Sequence, residues 1–153
     1  MYRRILVPVD GSKTGAKALA HAARLADAFH AEVRALHVLD ALVYSNGFER
    51  PQIYFEQVLP AMREAGQRIL SEARDALQRA GVACDTKLVD CDGRRVAELI
   101  VAHAKAWGAD LIVMGTHGRR GVDRLLMGSD AEGVARTAPV PVLLVRPDGR
   151  GQV

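Results

Sequence analysis

The chain has 153 residues, 49% of them hydrophobic, which suffices for a single domain with a buried core. Its formal charge of +3 and pI near 9.1 come from 21 basic residues interleaved with 18 acidic ones. The aromatic side chains, three Phe, three Tyr and one Trp, do not alternate with arginines. This pattern argues against a nucleic-acid partner, which calls for clustered Lys and Arg with rings on which bases stack.

Cys84 and Cys91 form no C-x-x-C pair and lie in no His/Cys cluster at zinc spacing, so reduced thiols are expected. The apolar run Ile5-Leu6-Val7 is cut by Pro8 and Asp10, too short for a signal core, and no span approaches transmembrane length. The expectation is a cytoplasmic protein with no membrane partner, its domain covering residues 1–147 and a short tail 148–153.

Arg3 to Asp10 reads as a buried strand that stops at the turn Asp10-Gly11-Ser12. Lys13 to His30 follows as an alanine-rich helix with Leu19, Ala22, Ala23, Ala26 and Phe29 on one face and Ser12 as N-cap. Val33 to Leu39 is a second strand. Ala41 to Tyr54 holds Ser45, Asn46, Gly47 and Pro51 without a period and reads as a long loop.

The second helix is expected from about Phe55 to Ala80. Its stripe is Val58, Met62, Ala65, Ile69, Ala73, Leu77 and Ala80, with Pro60 near the start and Gly81 as the stop. Glu64/Arg68 and Asp75/Arg79 are i,i+4 pairs that mark its solvated side. Val82 to Val89 is a third strand, and Cys84 and Cys91, an odd number apart, would face opposite sides.

A third helix spans about Arg94 to Trp107, with Val96, Leu99, Ile100, His103, Ala104 and Trp107 inward and Gly108 at its end. His103 reads as a packing histidine. Asp110 to Met114 forms a fourth strand, and a glycine-rich loop leads to a short helix from about Asp130 to Thr137. Val140 to Val145 is the last strand; Pro141 inside it removes a ladder donor and places it at a sheet edge.

Strands alternating with helices imply an α/β domain with an open, doubly wound parallel sheet, right-handed crossovers and helices on both faces. In such a sheet a ligand binds beyond the carboxyl ends of the strands, where the strand order reverses. If strands one and four meet there, the Asp10 turn and the loop Gly115 to Ser129 share one crevice.

That loop suits an anion, since glycines let it approach and the unpaired N–H groups of a helix start point at it. From Gly115 to Ser129, Arg119, Arg120 and Arg124 stand against Asp123, a net +2. The Gly-Lys-Ser/Thr ending of a P-loop is missing and the spacing is not GxGxxG, which disfavours a standard NTPase or dinucleotide enzyme. The spacing is Gly115-x2-Gly118-x9-Gly128-Ser129. With Val7-Pro8-Val9-Asp10-Gly11-Ser12 near the start and Ala138-Pro139-Val140-Pro141-Val142-Leu143-Leu144-Val145 near the end, it resembles the ATP-binding members of the universal stress protein family.

The resemblance implies a five-stranded sheet in order 3-2-1-4-5, ATP with Mg2+ in the crevice, and a homodimer through the C-terminal edge strand. It implies that Pro8, Val9 and Asp10 border the nucleotide, with Asp10 near ribose, phosphate or a divalent ion. Val38 would meet adenine, Met114 and Gly115 would line the floor, and Gly118, Gly128 and Ser129 would hold phosphates.

Each residue has a plainer role to set beside this one. Gly115 and Gly118 suit a tight turn, and Asp10 suits an Asx turn. Ser129-Asp130-Ala131-Glu132 has the form of a capping box. Arg119 and Arg120 fit outer phosphates or a solvated corner equally well, and His117 has no partner that would make it an acid or base. Asp130 departs from the uncharged residue expected after the glycine-serine pair, and its carboxylate opposes a triphosphate unless a metal bridges them. The leading reading is an ATP-binding regulatory or protective factor in stress response. The alternatives are a slow ATP-hydrolysing or nucleotidyl-transfer enzyme and a nucleotide-free dimeric interaction module.

Overall fold

A computed structural model of the chain describes residues 1–40, 50–117 and 126–148. Five strands and four helices of eight or more residues follow in order among them: β1 (Arg4–Pro8), α1 (Lys13–Phe29), β2 (Glu32–Leu39), α2 (Leu59–Arg79), β3 (Cys84–Asp90), α3 (Val96–Trp107), β4 (Leu111–Gly115), α4 (Ser129–Thr137) and β5 (Val142–Val145). All strand pairs are parallel and the order is β3-β2-β1-β4-β5, the order implied by the family resemblance.

The central strand explains the layering. Ile5, Leu6 and Val7 have no solvent exposure, so β1 is covered on both faces, and alternation divides its side chains between two cores. Ile5 and Val7, with Val33, Ala35, Leu111 and Val113, meet Ala18, Leu19, Ala22 and Ala26 of α1 and Leu70, Ala73 and Leu77 of α2. On the other face Leu6, Leu36, Ile112 and Met114 meet Ala97, Ile100, Val101 and Ala104 of α3 and Ala131 and Val134 of α4. Each fully buried Leu, Ile or Val contributes about 1.5–3 kcal/mol.

The boundaries shift where packing overrides local pattern. Residues 41–49 of the expected loop lie outside the described residues, but its end is helical: Pro51–Ile53 form a short turn and Tyr54–Val58 a π-helical stretch leading into α2. The buried residues of α2 are Met62, Gly66, Leu70, Ala73 and Leu77; Ala65 and Ile69 are half-buried and Ala80 is exposed. The stripe turns toward Gly66 because the sheet comes too close there for a side chain. A Cβ on Gly66 would lie 2.9 Å from His37 Cδ2 and from Leu88 Cδ1.

Helix ends follow the expected chemistry with one exception. Gly81 and Gly108 take φ of 71° and 74° at the ends of α2 and α3, whereas α1 ends at His30 with φ 54°, a left-handed stop supplied by a non-glycine residue. The cysteines are free, and the Cys91 thiol donates to the Arg94 carbonyl at 2.8 Å. Glu64 and Arg68 form their i,i+4 pair at 3.2 Å. β5 begins at Val142, so Pro141 precedes the strand and its carbonyl accepts from the Ile112 amide at 3.0 Å. β5 is the sheet edge next to β4, and Leu143 on it is exposed. Asp148, assigned by sequence to the tail, pairs with Lys17 of α1. Among the described residues no helix is long and apolar enough to cross a membrane.

Candidate functional site

The carboxyl ends of β1 and β4 lie side by side because Ile5 pairs with Leu111 and Leu6 with Ile112. At the β1 exit, the Val9 amide donates to the Leu36 carbonyl at 2.8 Å. Asp10 Oδ1 then accepts from the Ser12 amide at 2.9 Å, and Gly11 takes φ 81°. Ser12 Oγ accepts from the Gly15 amide at 3.0 Å and caps α1. The Asx turn at Asp10 is therefore present, and it shapes the entry to the helix.

At the β4 exit the reason for Gly115 is packing. Its φ is not positive, so no turn demands it; a Cβ there would lie 2.7 Å from Thr14 Cγ2 in the first turn of α1. The glycine lets the start of α1 close against β4. The Thr116 amide donates to the Val145 carbonyl at 2.9 Å, extending the β4 to β5 ladder, and Thr116 Oγ1 lies 2.9 Å from His117 Nδ1. Among the described residues, His117 Nε2 is a buried side-chain nitrogen without a hydrogen-bond partner.

Gly118, Arg119 and Arg120 lie outside the described residues, as do 121–125. The far end of the loop returns to its root, where the Gly128 amide donates to the Thr116 carbonyl at 2.7 Å. A Cβ on Gly128 would sit 3.0 Å from that carbonyl, so here backbone closely approaches backbone, where at Gly115 it approaches the Thr14 side chain.

The capping box at Ser129 is not formed. Gly128 is the N-cap, with extended φ −61° and ψ 151° and no side chain to cap the helix, and Ser129 is already helical. A capping side chain must belong to the last extended residue, and Ser129 stands one position too far along. Glu132 does not reach back; it pairs with Arg136 at 2.9 Å. Ser129 and Asp130 are both exposed at the start of α4.

On the α3/α4 face, Val38 and Met114 lie on the two strands that flank β1, Met114 buried and Val38 half-buried against the same core. Pro8 falls on that face by alternation from Leu6. The fold thus brings Pro8, Val9, Asp10, Val38, Met114, Gly115, Gly128, Ser129 and Asp130 to one end of the sheet. Sequence reasoning missed Thr14 and His37; both partner the site's backbone from distant positions, and neither carries a local signal.

Of the shifted titrating groups, Asp92, Arg94 and Asp148 follow the carboxyl ends of β3 and β5, whereas Arg34, Cys84, Asp85 and His103 lie toward the opposite end of the strands. Arg34 holds Asp85 through two bonds, at 2.7 and 2.5 Å, and lies 4.5 Å from the Trp107 ring centroid. That bond holds the Asp85 carboxyl below the usual range. Arg34 Nη1 is 3.3 Å from His103 Nε2, and since a guanidinium only donates, this imidazole nitrogen accepts. Burial, then the Arg34 charge, lowers the His103 pKa. His103 is the half-buried packing residue the sequence suggests. Among the described residues no group of three or more His, Cys, Asp or Glu is arranged to hold a metal.

Fold and candidate site together define an open doubly wound α/β domain in which the first strand's exit and the start of the last helix, tied to Thr116, lie at one end of the sheet. The profile of the universal stress protein family matches residues 1–146, and the chain belongs to that family. It is 35% identical over 146 residues to a universal stress protein of Methanocaldococcus jannaschii, covering 95% of this chain and 83% of that one. A solved universal stress family protein from Burkholderia pseudomallei is 37% identical, with a TM-score of 0.75 and coverage of 94% and 96%. The universal stress protein from Archaeoglobus fulgidus, solved in complex with dAMP, is 25% identical, with a TM-score of 0.66 and coverage of 94% and 98%.

Proposed function

We propose that this chain binds an adenine nucleotide in the crevice at the ends of β1 and β4, with ATP and Mg2+ as its ligand. The protein acts in the cytoplasm as a nucleotide-dependent regulatory or protective factor in stress response. Binding is the activity. The observation that carries this reading is the pinned start of α4: the N-cap Gly128 is tied to Thr116 and has no side chain to cap the first turn, and Ser129 beside it is exposed. Uncapped N–H groups of a helix start with an exposed hydroxyl beside them suit a phosphate. The Archaeoglobus relative's complex with dAMP supports the choice of an adenine nucleotide.

In this reading Val38 and Met114 contact the base, Pro8, Val9 and Asp10 border the ribose and phosphates, and Gly115, Gly118, Arg119, Gly128, Ser129 and Asp130 surround the phosphate chain. Asp10 contributes one carboxylate toward Mg2+, which binds through one or two carboxylates together with substrate phosphates. Residues 1–147 form the binding unit, and two copies join through β5, whose unpaired backbone edge needs a partner.

Thermal denaturation with added nucleotide tests the proposal. A ligand bound only by the native state adds about 2.7 kcal/mol at a hundredfold excess over Kd. For a domain of this size that is roughly 5–11 °C in Tm. An unchanged Tm at millimolar ATP and magnesium rejects ATP, and an unchanged Tm with AMP, dAMP and cAMP as well rejects the adenine-nucleotide site.

A further inference from the structure

We infer that His37 is a positioning residue for the nucleotide turn: its imidazole holds the Val9 carbonyl and thereby sets the direction in which Asp10 and Ser12 leave the sheet. The inference rests on the nucleotide reading above and extends it to a side chain that is not itself placed at the nucleotide but holds the Val9 carbonyl.

The geometry is specific. His37 Nδ1 lies 2.7 Å from the Val9 carbonyl oxygen in a buried environment, 28 residues away in sequence. A carbonyl oxygen only accepts, so Nδ1 carries the proton. Val9 is the residue at which β1 leaves the sheet. Its amide is already held by the Leu36 carbonyl, and the neighbouring residue of the same strand supplies the donor for its own carbonyl. Both backbone groups of Val9 are thus fixed by β2.

A buried carbonyl at a strand end needs such a donor because the backbone ladder runs out there. The next bonds in the chain, Asp10 Oδ1 with the Ser12 amide and Ser12 Oγ with the Gly15 amide, inherit their direction from this anchor.

The ring is held from the other side as well. Gly66 of α2 stands where a Cβ would lie 2.9 Å from His37 Cδ2, so the helix presents bare backbone to the imidazole edge. The sequence places glycine in mid-helix, at a cost of roughly 1 kcal/mol relative to alanine by propensity alone, and the structure supplies its use. A line of contact therefore runs from α2 through His37 to Val9 and the turn.

Two variants and one spectrum test this. His37→Leu removes the donor, whereas His37→Asn keeps an amide N–H near the Nδ1 position. The expected result is a rise of at least tenfold in nucleotide Kd for His37→Leu and a value within threefold of the unsubstituted protein for His37→Asn. Amide exchange at Ser12, measured without nucleotide, should quicken in His37→Leu and stay near its original rate in His37→Asn. Nitrogen-15 spectra of the unsubstituted protein should show Nδ1 protonated.

A His37→Leu protein that binds nucleotide within twofold of the original, or a His37→Asn protein as impaired as His37→Leu, overturns the inference. So does an Nε2–H tautomer with a bare Nδ1, which decides the matter even if His37→Leu does not fold. If the unsubstituted protein binds no adenine nucleotide, the function proposed above falls, and the Ser12 exchange rates and the tautomer still decide the positioning role.

Discussion

Replacing Gly115 by alanine tests whether packing or ligand approach requires the glycine. The added Cβ would stand 2.7 Å from Thr14 Cγ2, 3.2 Å from Thr14 Cβ and 3.3 Å from the His117 carbonyl oxygen. Carbon atoms in ordinary contact are about 3.5–4.0 Å apart, so the first turn of α1 has to retreat by nearly 1 Å. That turn is held by the Ser12 cap and the Asp10 Asx turn, and β4 is held on both sides by β1 and β5. Overpacking in a fixed core costs about 1–3 kcal/mol, and two anchored walls put the expectation at about 2–3 kcal/mol. In Tm this is roughly 4–12 °C. Urea denaturation measures it directly. Thr14→Ser deletes the clashing methyl, so the double substitution should recover at least about 1 kcal/mol of the loss in a double-mutant cycle. A Gly115→Ala protein within about 0.5 kcal/mol of the original refutes the packing account, and a large loss of nucleotide affinity at unchanged stability would return the glycine to a ligand role.

Ser12→Ala removes the α1 cap and should lower stability by about 1 kcal/mol, read from the guanidinium midpoint. The His103 pKa is lowered in the fold, so its contribution is present above the ordinary imidazole value of 6.5 and is lost as pH falls through the folded value. His103→Gln should therefore flatten the decline of stability below about pH 6.5, with Trp107 fluorescence as the probe; an equally steep decline excludes His103 as its source. Leu143→Arg places a charge on the exposed β5 edge and should convert a dimeric mass by light scattering into a monomeric one, and an unsubstituted protein that is already monomeric contradicts the proposed dimer. Asp130→Val removes a carboxylate from the start of α4 and should tighten ATP binding; an unchanged or weaker Kd shows that Asp130 does not oppose the phosphates.

The strand runs and helix stripes were legible because burial on both faces leaves an unbroken apolar run such as Ile5-Leu6-Val7, and one-sided packing leaves a period of three or four. The Asp10 turn at the candidate site was legible for a different reason. Turn chemistry is local: Asp10, Gly11 and Ser12 carry their own bonds. What stayed hidden depended on residues far apart in the chain. No local pattern announces that Gly115 yields space to Thr14 or that Gly66 yields space to His37. Ser129 shows the opposite failure. A correct local signature gave way because the loop's return to Thr116 selected Gly128 as the last extended residue.

The pairing of β1 with β4 also governs when the protein becomes itself. β1 meets β2 early in synthesis, but its other edge waits for Leu111 and Ile112, more than a hundred residues later. Until those residues leave the ribosome, the buried apolar run Ile5-Leu6-Val7 has one open edge, the kind of surface that recruits other chains. The crevice is divided in the same way, between residues 8–12 and residues beyond 114. A nascent chain with its first three strands in place still lacks the second half of the candidate site, so nucleotide occupancy would report that synthesis has passed the start of α4.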